Sequence, residues 1–344
     1  MKKLKSQIHD AVRLLKCLTV PRLINLSVLQ ATFLFARYLR VFRTARGPAA
    51  ISIEPTTACN LRCPECPSGL RSFTRLTGKL NIESYKCWLH QHSKTVIWIN
   101  LYFQGEPFLH SDFFKLVRLA KKKRYYTMTS TNGHFLTEEN CRHIIRSGLD
   151  RLVISLDGLD QDTYEKYRRG GNLQLVLEGI ENLTSVKREM GVRHPFIEIQ
   201  FLVLRNNEHQ TDEIKSWIRK PGIDKVALKS AQFYDLSDKN NLIPLTDNLN
   251  RYHKNSDGSY RIKGYRGNHC RRLWVSSVLT WDGMVVPCCY DKDATFLMGR
   301  LDHDLFPSIW KGERYQNFRK RVFSNRKSVS ICTNCAEGIR IRRG

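Results

Sequence analysis

Cys59-Asn60-Leu61-Arg62-Cys63-Pro64-Glu65-Cys66 is the stretch that decides how this chain is read. Three cysteines stand in a C-x3-C-x2-C spacing, directly after a short apolar run, Ala50-Ile51-Ser52-Ile53. The spacing delivers three thiolates from one tight loop. A tetrahedral zinc site takes four ligands, and so does a fully ligated cubane iron–sulfur cluster. Three ligands leave one metal corner open, and an open corner is a place for chemistry. Spacing alone also admits the plainer reading, a zinc site completed by a distant Cys or His.

Outward from that loop the chain alternates strand and helix. The first strand, Ile51 to Glu54, feeds the cysteines. A second, Thr95 to Leu101, ends at Gln104-Gly105-Glu106-Pro107. A third, Tyr125 to Thr131, ends at Asn132-Gly133, and a fourth, Leu152 to Leu156, at Asp157-Gly158. Phe196 to Val203 and Lys225 to Lys229 make a fifth and a sixth. Helix-length periodic segments such as Phe113 to Lys123 and Glu138 to Arg146 lie between them. Strands separated by helices mean βαβ units and a parallel sheet. Six such repeats predict an α/β core over 49–232, a partial (β/α)6 TIM-like barrel. In such folds the working residues sit at the C-terminal strand ends, where this polar punctuation falls.

The flanks differ. Residues 1–48 read as basic amphipathic helices, with Ile8, Val12 and Leu15 near helical spacing and a second apolar segment from Leu26 to Phe42. Packing on the following core is the plain expectation for such a flank; contact with an anionic membrane surface is the other. Residues 233–269 read as a connecting region with a turn at Ser256-Asp257-Gly258. Residues 270–344 form a small α+β unit. In it Val275 to Trp281 and Met284 to Pro287 make a hairpin over Asp282-Gly283, Phe306 to Phe323 is mostly helical, and Arg340 to Arg343 is a short basic tail.

Composition bounds the rest. The 344 residues fit about two domains. A formal charge of +25 favours polyanions, whether nucleic acid or anionic lipid. No secretory signal is legible, and no uninterrupted apolar run of ~18 residues exists. The expected location is therefore cytoplasmic, peripheral to the membrane if the flank docks there. The eleven cysteines cluster, and in a reducing compartment clustering favours metal ligation over disulfides. Cys17, Cys87 and Cys141 are isolated and read as helix-face or core residues. A second set is Cys270, Cys288 and Cys332-Thr333-Asn334-Cys335, with Cys289 as the alternate to Cys288. Four thiolates close a site, as a structural zinc or as a fully ligated cluster.

The cysteine triad after a first strand resembles the radical S-adenosylmethionine (radical SAM) superfamily. Gln104-Gly105-Glu106-Pro107 is similar to that family's Gly-Gly-Glu-Pro motif, with Gln in the first position. Ser130 to Gly133 and Ser155-Leu156-Asp157-Gly158 are similar to its third- and fourth-strand motifs, and Arg168 follows in Tyr167-Arg168-x-Gly170. The resemblance implies a [4Fe–4S] cluster on Cys59, Cys63 and Cys66 with an open iron site. It implies S-adenosyl-L-methionine bound near Gln104, Gly105, Glu106, Pro107, Asn132, Ser155, Asp157 and Arg168. It implies reductive cleavage of SAM to a 5′-deoxyadenosyl radical that abstracts hydrogen from a substrate. The late spacing, Cys270-x12-Gly283-x4-Cys288 and then Cys332-x2-Cys335, is similar to the SPASM or twitch extension. That implies one auxiliary [4Fe–4S] cluster on Cys270, Cys288, Cys332 and Cys335.

The implied partners are an electron donor of the flavodoxin or ferredoxin kind and a small-molecule or peptide substrate. The net result is a two-electron oxidation or a modification of that substrate. Tyr290, Asp291 and Asp293 are candidate proton acceptors, with a polar loop capping the cluster as the plainer role. Two other readings use the charge: a radical SAM enzyme acting on RNA, and a zinc-ribbon nucleic-acid-binding protein.

Overall fold

Ile51 and Ile53 of the first strand are fully buried, while Ser52 between them accepts a 3.1 Å hydrogen bond from Asn100 Nδ2 of the next strand. This alternation, repeated from strand to strand, separates an oily outer face from a polar lumen. The computed structural model describes residues 2–337 other than 45, 93, 238–239 and 265–266, so the basic tail at 340–343 lies outside the described residues. In it β1 (Ala50–Ile53), β2 (Trp98–Asn100), β3 (Tyr126–Thr131), β4 (Arg151–Ser155), β5 (Phe196–Val203) and β6 (Lys225–Ser230) pair in chain order, every pair parallel. The crossover helices start on side-chain caps that the sequence supplies. Asn81, Thr137, Asp160 and Asn172 each accept from backbone N–H groups of the first turn.

Outer-face residues of the strands join helix side chains in one apolar core: Ile99 and Leu101 with Tyr85, Trp88, Phe113 and Leu116. The lumen face carries charge instead. Glu198 pairs with Lys225 at 3.2 Å and with Arg151 at 3.6 Å. Parallel strands buried on both faces normally read as continuous apolar runs. Polar residues on the inner face therefore mark a lumen kept for something other than packing.

β2 is shorter than the apolar run at 95–101, because the Thr95 and Val96 N–H groups turn back onto the His92 carbonyl. The connecting region holds its own antiparallel hairpin, β7 (Tyr252–Lys254) and β8 (Tyr260–Ile262), around Ser256-Asp257-Gly258. The segment at 306–323 breaks at Gly312, which opens a second helix, Glu313–Ser324. The hairpin near 275–287 is present as β9 (Ser276–Leu279) and β10 (Met284–Val286), followed by β11 (Gly299–Arg300), but it does not stand apart. β9 lies parallel beside β1, in register from Ala50↔Ser276 to Ile53↔Leu279. One nine-stranded sheet results, ordered β11-β10-β9-β1-β2-β3-β4-β5-β6.

Two N-terminal helices, α1 (Lys2–Leu15) and α2 (Val20–Leu39), cover the N-terminal end of this sheet. α1 docks through its polar face. Ser6 donates to Asp224 at 2.5 Å, Arg13 pairs with Asp150 at 2.6 Å, and Asp10 accepts from Tyr126 and Arg151. α2 is held by the buried Arg22, which donates to the Cys17 and Arg124 carbonyls at 2.6 Å, and by Phe33 edge-on to Trp274.

Candidate functional site

The cysteine loop leaves β1 and is held from three sides. Glu106 N donates to the Ala58 carbonyl at 2.7 Å, Arg62 N to the Arg169 carbonyl at 3.0 Å, and Tyr234 N to the Glu65 carboxylate at 3.0 Å. Cys66 stands just before the short helix Pro67–Leu70, which folds back over the loop. A Cβ on Gly69 would sit 2.5 Å from Cys63 N, so only glycine allows this approach. Gly105 has φ +74°, and a Cβ there would meet the Thr56 carbonyl at 2.3 Å. The Gly of the Gln-Gly-Glu-Pro loop is thus fixed by contact with the cysteine loop. Gln104 is buried and its amide donates to the Phe103 carbonyl, leaving the path of that loop intact.

The strand-end residues meet here. The Glu106 carboxylate accepts from Thr131 Oγ1 and Asn132 N, both at 2.8 Å, and so ties the end of β2 to the end of β3. Asn132 reaches Asn60 inside the cysteine loop at 2.7 Å. Asp157 is fully buried. It accepts from Leu202 N at 2.7 Å and pairs with Arg168 at 2.6 Å, and the other arm of that guanidinium lies 4.0 Å from Cys63 Sγ. Ser155 is buried beside them, and Pro107 starts the single turn that follows Glu106.

Burial lifts Glu106 to about 7, more than its hydrogen bonds pull it down. Between the unfolded carboxyl value and about 7, the folded chain holds a proton that the unfolded chain has released. The contribution of Glu106 to stability is therefore complete below the unfolded value and is lost as pH rises through about 7. Glu106→Gln cannot ionise and is expected to flatten that slope. It also sets an amide N–H₂ against a backbone or hydroxyl donor, at a cost of about 1–3 kcal/mol. Urea midpoints measured against pH check both effects, and an unchanged slope in the variant would count against the assigned titration.

The second cysteine set gathers at the opposite end of the strands. Cys270 precedes β9, Cys288 and Cys289 follow β10, and Cys332 and Cys335 come from the short helix Ser330–Thr333 and the residues after it. Burial raises the thiol values of Cys270, Cys288 and Cys332; Cys335 adds to the rise at all three, and Cys270 adds to it at Cys332 and Cys288. Arg326 donates to Cys335 Sγ at 3.3 Å, as does Glu337 N. Cys289 lies within electrostatic reach of Cys288 and Cys335 and also faces the lumen. Arg272 Nη1 is 3.6 Å from its sulfur, Arg272 also pairs with Glu337, and Cys289 lines a cavity of about 510 Å³. That cavity runs along the lumen face past Ser52, Asn100 and Trp98 to the α1–α2 junction.

These donor sets suit iron–sulfur clusters. All eleven cysteines are free thiols. Burial pushes Cys59 and Cys332 each up to about 11, so as bare thiols these two stay protonated. Metal coordination would remove those protons, and Arg168 at one set and Arg326 at the other would balance the resulting negative charge. Among the described residues no three His, Cys, Asp or Glu side chains converge on one ion. A cubane does not ask for that, since each of its thiolates holds a different iron.

The candidate proton acceptors are engaged in loop structure. Asp291 is buried and takes the N–H groups of Thr295 and Phe296; Asp293 takes those of Thr74 and Arg75. The Tyr290 hydroxyl accepts from Ala336 N at 3.4 Å. Sequence reasoning missed the clamp under the first site. There Arg75 binds the buried Glu54 with both arms, at 2.6 and 2.9 Å, and stacks on Phe73. It also missed the guanidinia at the second site; no spacing signals either.

Comparison with known proteins gives similarities of family and of fold. The model of the radical SAM superfamily matches residues 53–216, and that of an iron–sulfur cluster-binding domain, SPASM, matches residues 270–336. The chain is similar to the tungsten-containing aldehyde ferredoxin oxidoreductase cofactor-modifying protein of Pyrococcus furiosus, 25% identical over 312 residues, 83% of this chain and 86% of that one. It is likewise similar to a probable GTP 3′,8-cyclase of Methanococcus maripaludis, 25% identical over 299 residues, 75% and 88% of the two chains. Among solved structures, Streptococcus suis SuiB bound to S-adenosylmethionine superposes with a TM-score of 0.63 at 14% identity, covering 86% of this chain and 73% of that one. BtrN in complex with AdoMet and 2-DOIA gives 0.54 at 20% identity, covering 84% and 93%. The two structural likenesses speak to fold alone.

Proposed function

The chain belongs to the radical SAM superfamily and carries an iron–sulfur cluster-binding domain behind the radical core, and from that membership we propose that it oxidises a small molecule or a peptide by two electrons inside the lumen. As a member it is an enzyme that uses a [4Fe–4S] cluster and S-adenosylmethionine, with an auxiliary iron–sulfur cluster, a reductant and a substrate. The zinc-ribbon reading gives way to this. When bound, these groups supply hydrogen-atom abstraction from the substrate and a sink for one further electron.

In this reading Cys59, Cys63 and Cys66 hold the open cluster, and Cys270, Cys288, Cys332 and Cys335 hold the auxiliary one. Gln104, Gly105, Glu106, Pro107, Asn132, Ser155, Asp157 and Arg168 form the SAM cradle. Arg168 keeps a fixed positive charge over Cys63, and Asp157 holds that guanidinium in place. Glu106 locks two strand ends, so the cradle is rigid before anything binds. The observation that carries the reading is the lumen cavity of about 510 Å³. It ends at Cys289 and Arg272, beside the auxiliary thiols, under strands whose other ends lead to the triad. A substrate entering there meets the auxiliary end of the lumen, and in this reading it extends past Ser52 and Asn100 along the strands toward the triad.

The electron donor is of the flavodoxin or ferredoxin kind. A second cavity, about 640 Å³, reaches Cys59 from outside the lumen and carries Arg71 and Lys79, which suit an acidic partner.

Cys288→Ala and Cys289→Ala separate the two thiols at the auxiliary site. Purified anaerobically, Cys288→Ala should lose about half of the iron, one cubane of two. Cys289→Ala should keep its iron and change only substrate turnover. The reverse pattern would exchange the two assignments, and full iron in both would remove the auxiliary set. The proposed reaction is tested by mass spectrometry of candidate peptides and metabolites after anaerobic incubation with SAM and reductant. A product lighter by two hydrogens supports it, and a redox-neutral product refutes the two-electron step.

A further inference from the structure

α1 is amphipathic the wrong way round for a helix that packs on a core. Surface helices of globular proteins bury the apolar stripe and expose the charges. Here Ser6, Asp10 and Arg13 face the barrel, in hydrogen bonds and ion pairs with Asp224, Arg151 and Asp150. The apolar stripe Leu4-Ile8-Val12-Leu15, at spacings of one helical face, points outward, with Leu4 61% and Ile8 53% exposed. α2 is mixed: it buries Leu29, Phe33 and Ala36 together with Arg22 and Asn25, and still exposes Phe35 at 51% and Tyr38 at 68%. An α1 whose polar groups are spent on the protein, beside an α2 that leaves aromatic side chains in water, presents an apolar face outward.

We infer that the outer faces of α1 and α2 dock this enzyme on an anionic membrane surface, with the aliphatic and aromatic side chains in the acyl–headgroup boundary. Charge complementarity selects that occupant. Residues 1–48 contain ten Lys and Arg and one acid, Asp10, and that acid is turned inward on the barrel. The charged side chains exposed beside the stripe are therefore basic, among them Lys5, Lys16 and Arg37, while Arg40 is turned onto the Phe323 carbonyl. A second copy of the chain would bring like charge to like charge. A nucleic acid would satisfy the cations and leave the leucines in water. A lipid surface with anionic headgroups satisfies both. The proposed pose is on the surface: no single helix among the described residues is long and apolar enough to cross, and α1 and α2, which together would be, meet at a bend of 95°.

Flotation of the cluster-loaded enzyme with vesicles tests this. With phosphatidylcholine vesicles containing phosphatidylglycerol, the protein should float, about tenfold or more better than with phosphatidylcholine alone, and added salt should weaken it. The variant Leu4→Gln, Ile8→Gln, Phe35→Gln, Tyr38→Gln changes only outward side chains. It should lose at least about tenfold in partitioning while keeping its iron and its cleavage of SAM. Wild-type enzyme that stays at the bottom of the gradient with anionic vesicles overturns the inference. So does a wild-type dimer in light scattering that the variant converts to monomer, because the face is then a self-interface. Flotation that the variant leaves unchanged overturns it as well, because charge alone is then responsible. Salt-sensitive retention of tRNA that competes away vesicle binding would assign the basic rim to RNA.

Discussion

Alanine at Cys59, Cys63 and Cys66 together abolishes formation of 5′-deoxyadenosine, by at least about a thousandfold, because residues acting as one unit fail as one unit. The argument is local. These thiols come from one loop whose backbone is fixed by Glu106, Arg62 and Glu65 and by the approach of Gly69 to Cys63. None of those contacts needs a sulfur atom, so the loop keeps its path in the variant. The second cysteine set lies at the other end of the strands, with Arg326 for its charge partner, and should keep its cluster. The expected protein is still brown, with about half the iron of the parent, and inert toward SAM. Residual SAM cleavage would mean that the triad is not the site. Loss of all iron would mean that the two sets are not independent.

The second large effect comes from Asp157→Ala. Asp157 is fully buried and its carboxylate is spoken for by Leu202 N and Arg168. Burial pushes its carboxyl value up, against the pull of Arg168. Removing it strands a buried guanidinium next to Cys63 and an unpaired N–H on β5. Breaking a buried pair from one side costs about 3–5 kcal/mol. The urea midpoint should fall accordingly, and SAM cleavage should fall with it, because the freed Arg168 no longer has one place to be. Asp157→Asn retains an acceptor for Leu202 N and should recover part of the stability, but not the arginine geometry. A loss within about 0.5 kcal/mol for Asp157→Ala, the range of ordinary surface changes, would show that the pair is solvated and not structural.

The sequence made the core legible because its logic is local. Each strand runs into its own polar punctuation, so Cys59, Glu106, Asn132 and Asp157 could be named at strand ends before their meeting was seen. What stayed hidden depends on distance in sequence. Gly69 looks like any turn glycine until the helix after Cys66 folds back on Cys63. Arg326 and Arg272 sit among many arginines in a basic chain, and no spacing marks them as partners of the auxiliary thiols. The amphipathicity of α1 was plain, but not which face would be covered. That is settled by Asp150, Arg151 and Asp224, which lie 137, 141 and 218 residues from their partners. The hairpin after Cys270 reads from its pattern as part of a small separate unit, since nothing in it announces a parallel neighbour in β1.

That neighbour has a mechanical consequence. β1 runs into the triad loop, and β9 follows Cys270 after the short helix Arg272–Val275, so one four-residue strand pairing lies between the triad and Cys270. Such a pairing is about 13 Å long and, inside a sheet, barely extensible. It ties the strand before the triad loop to the strand after Cys270 by a hydrogen-bonded ladder and not by a hinge between lobes. A chain ended before Cys270 would lose that ladder and the late cysteines together, leaving β1 with an open edge where its partner had been.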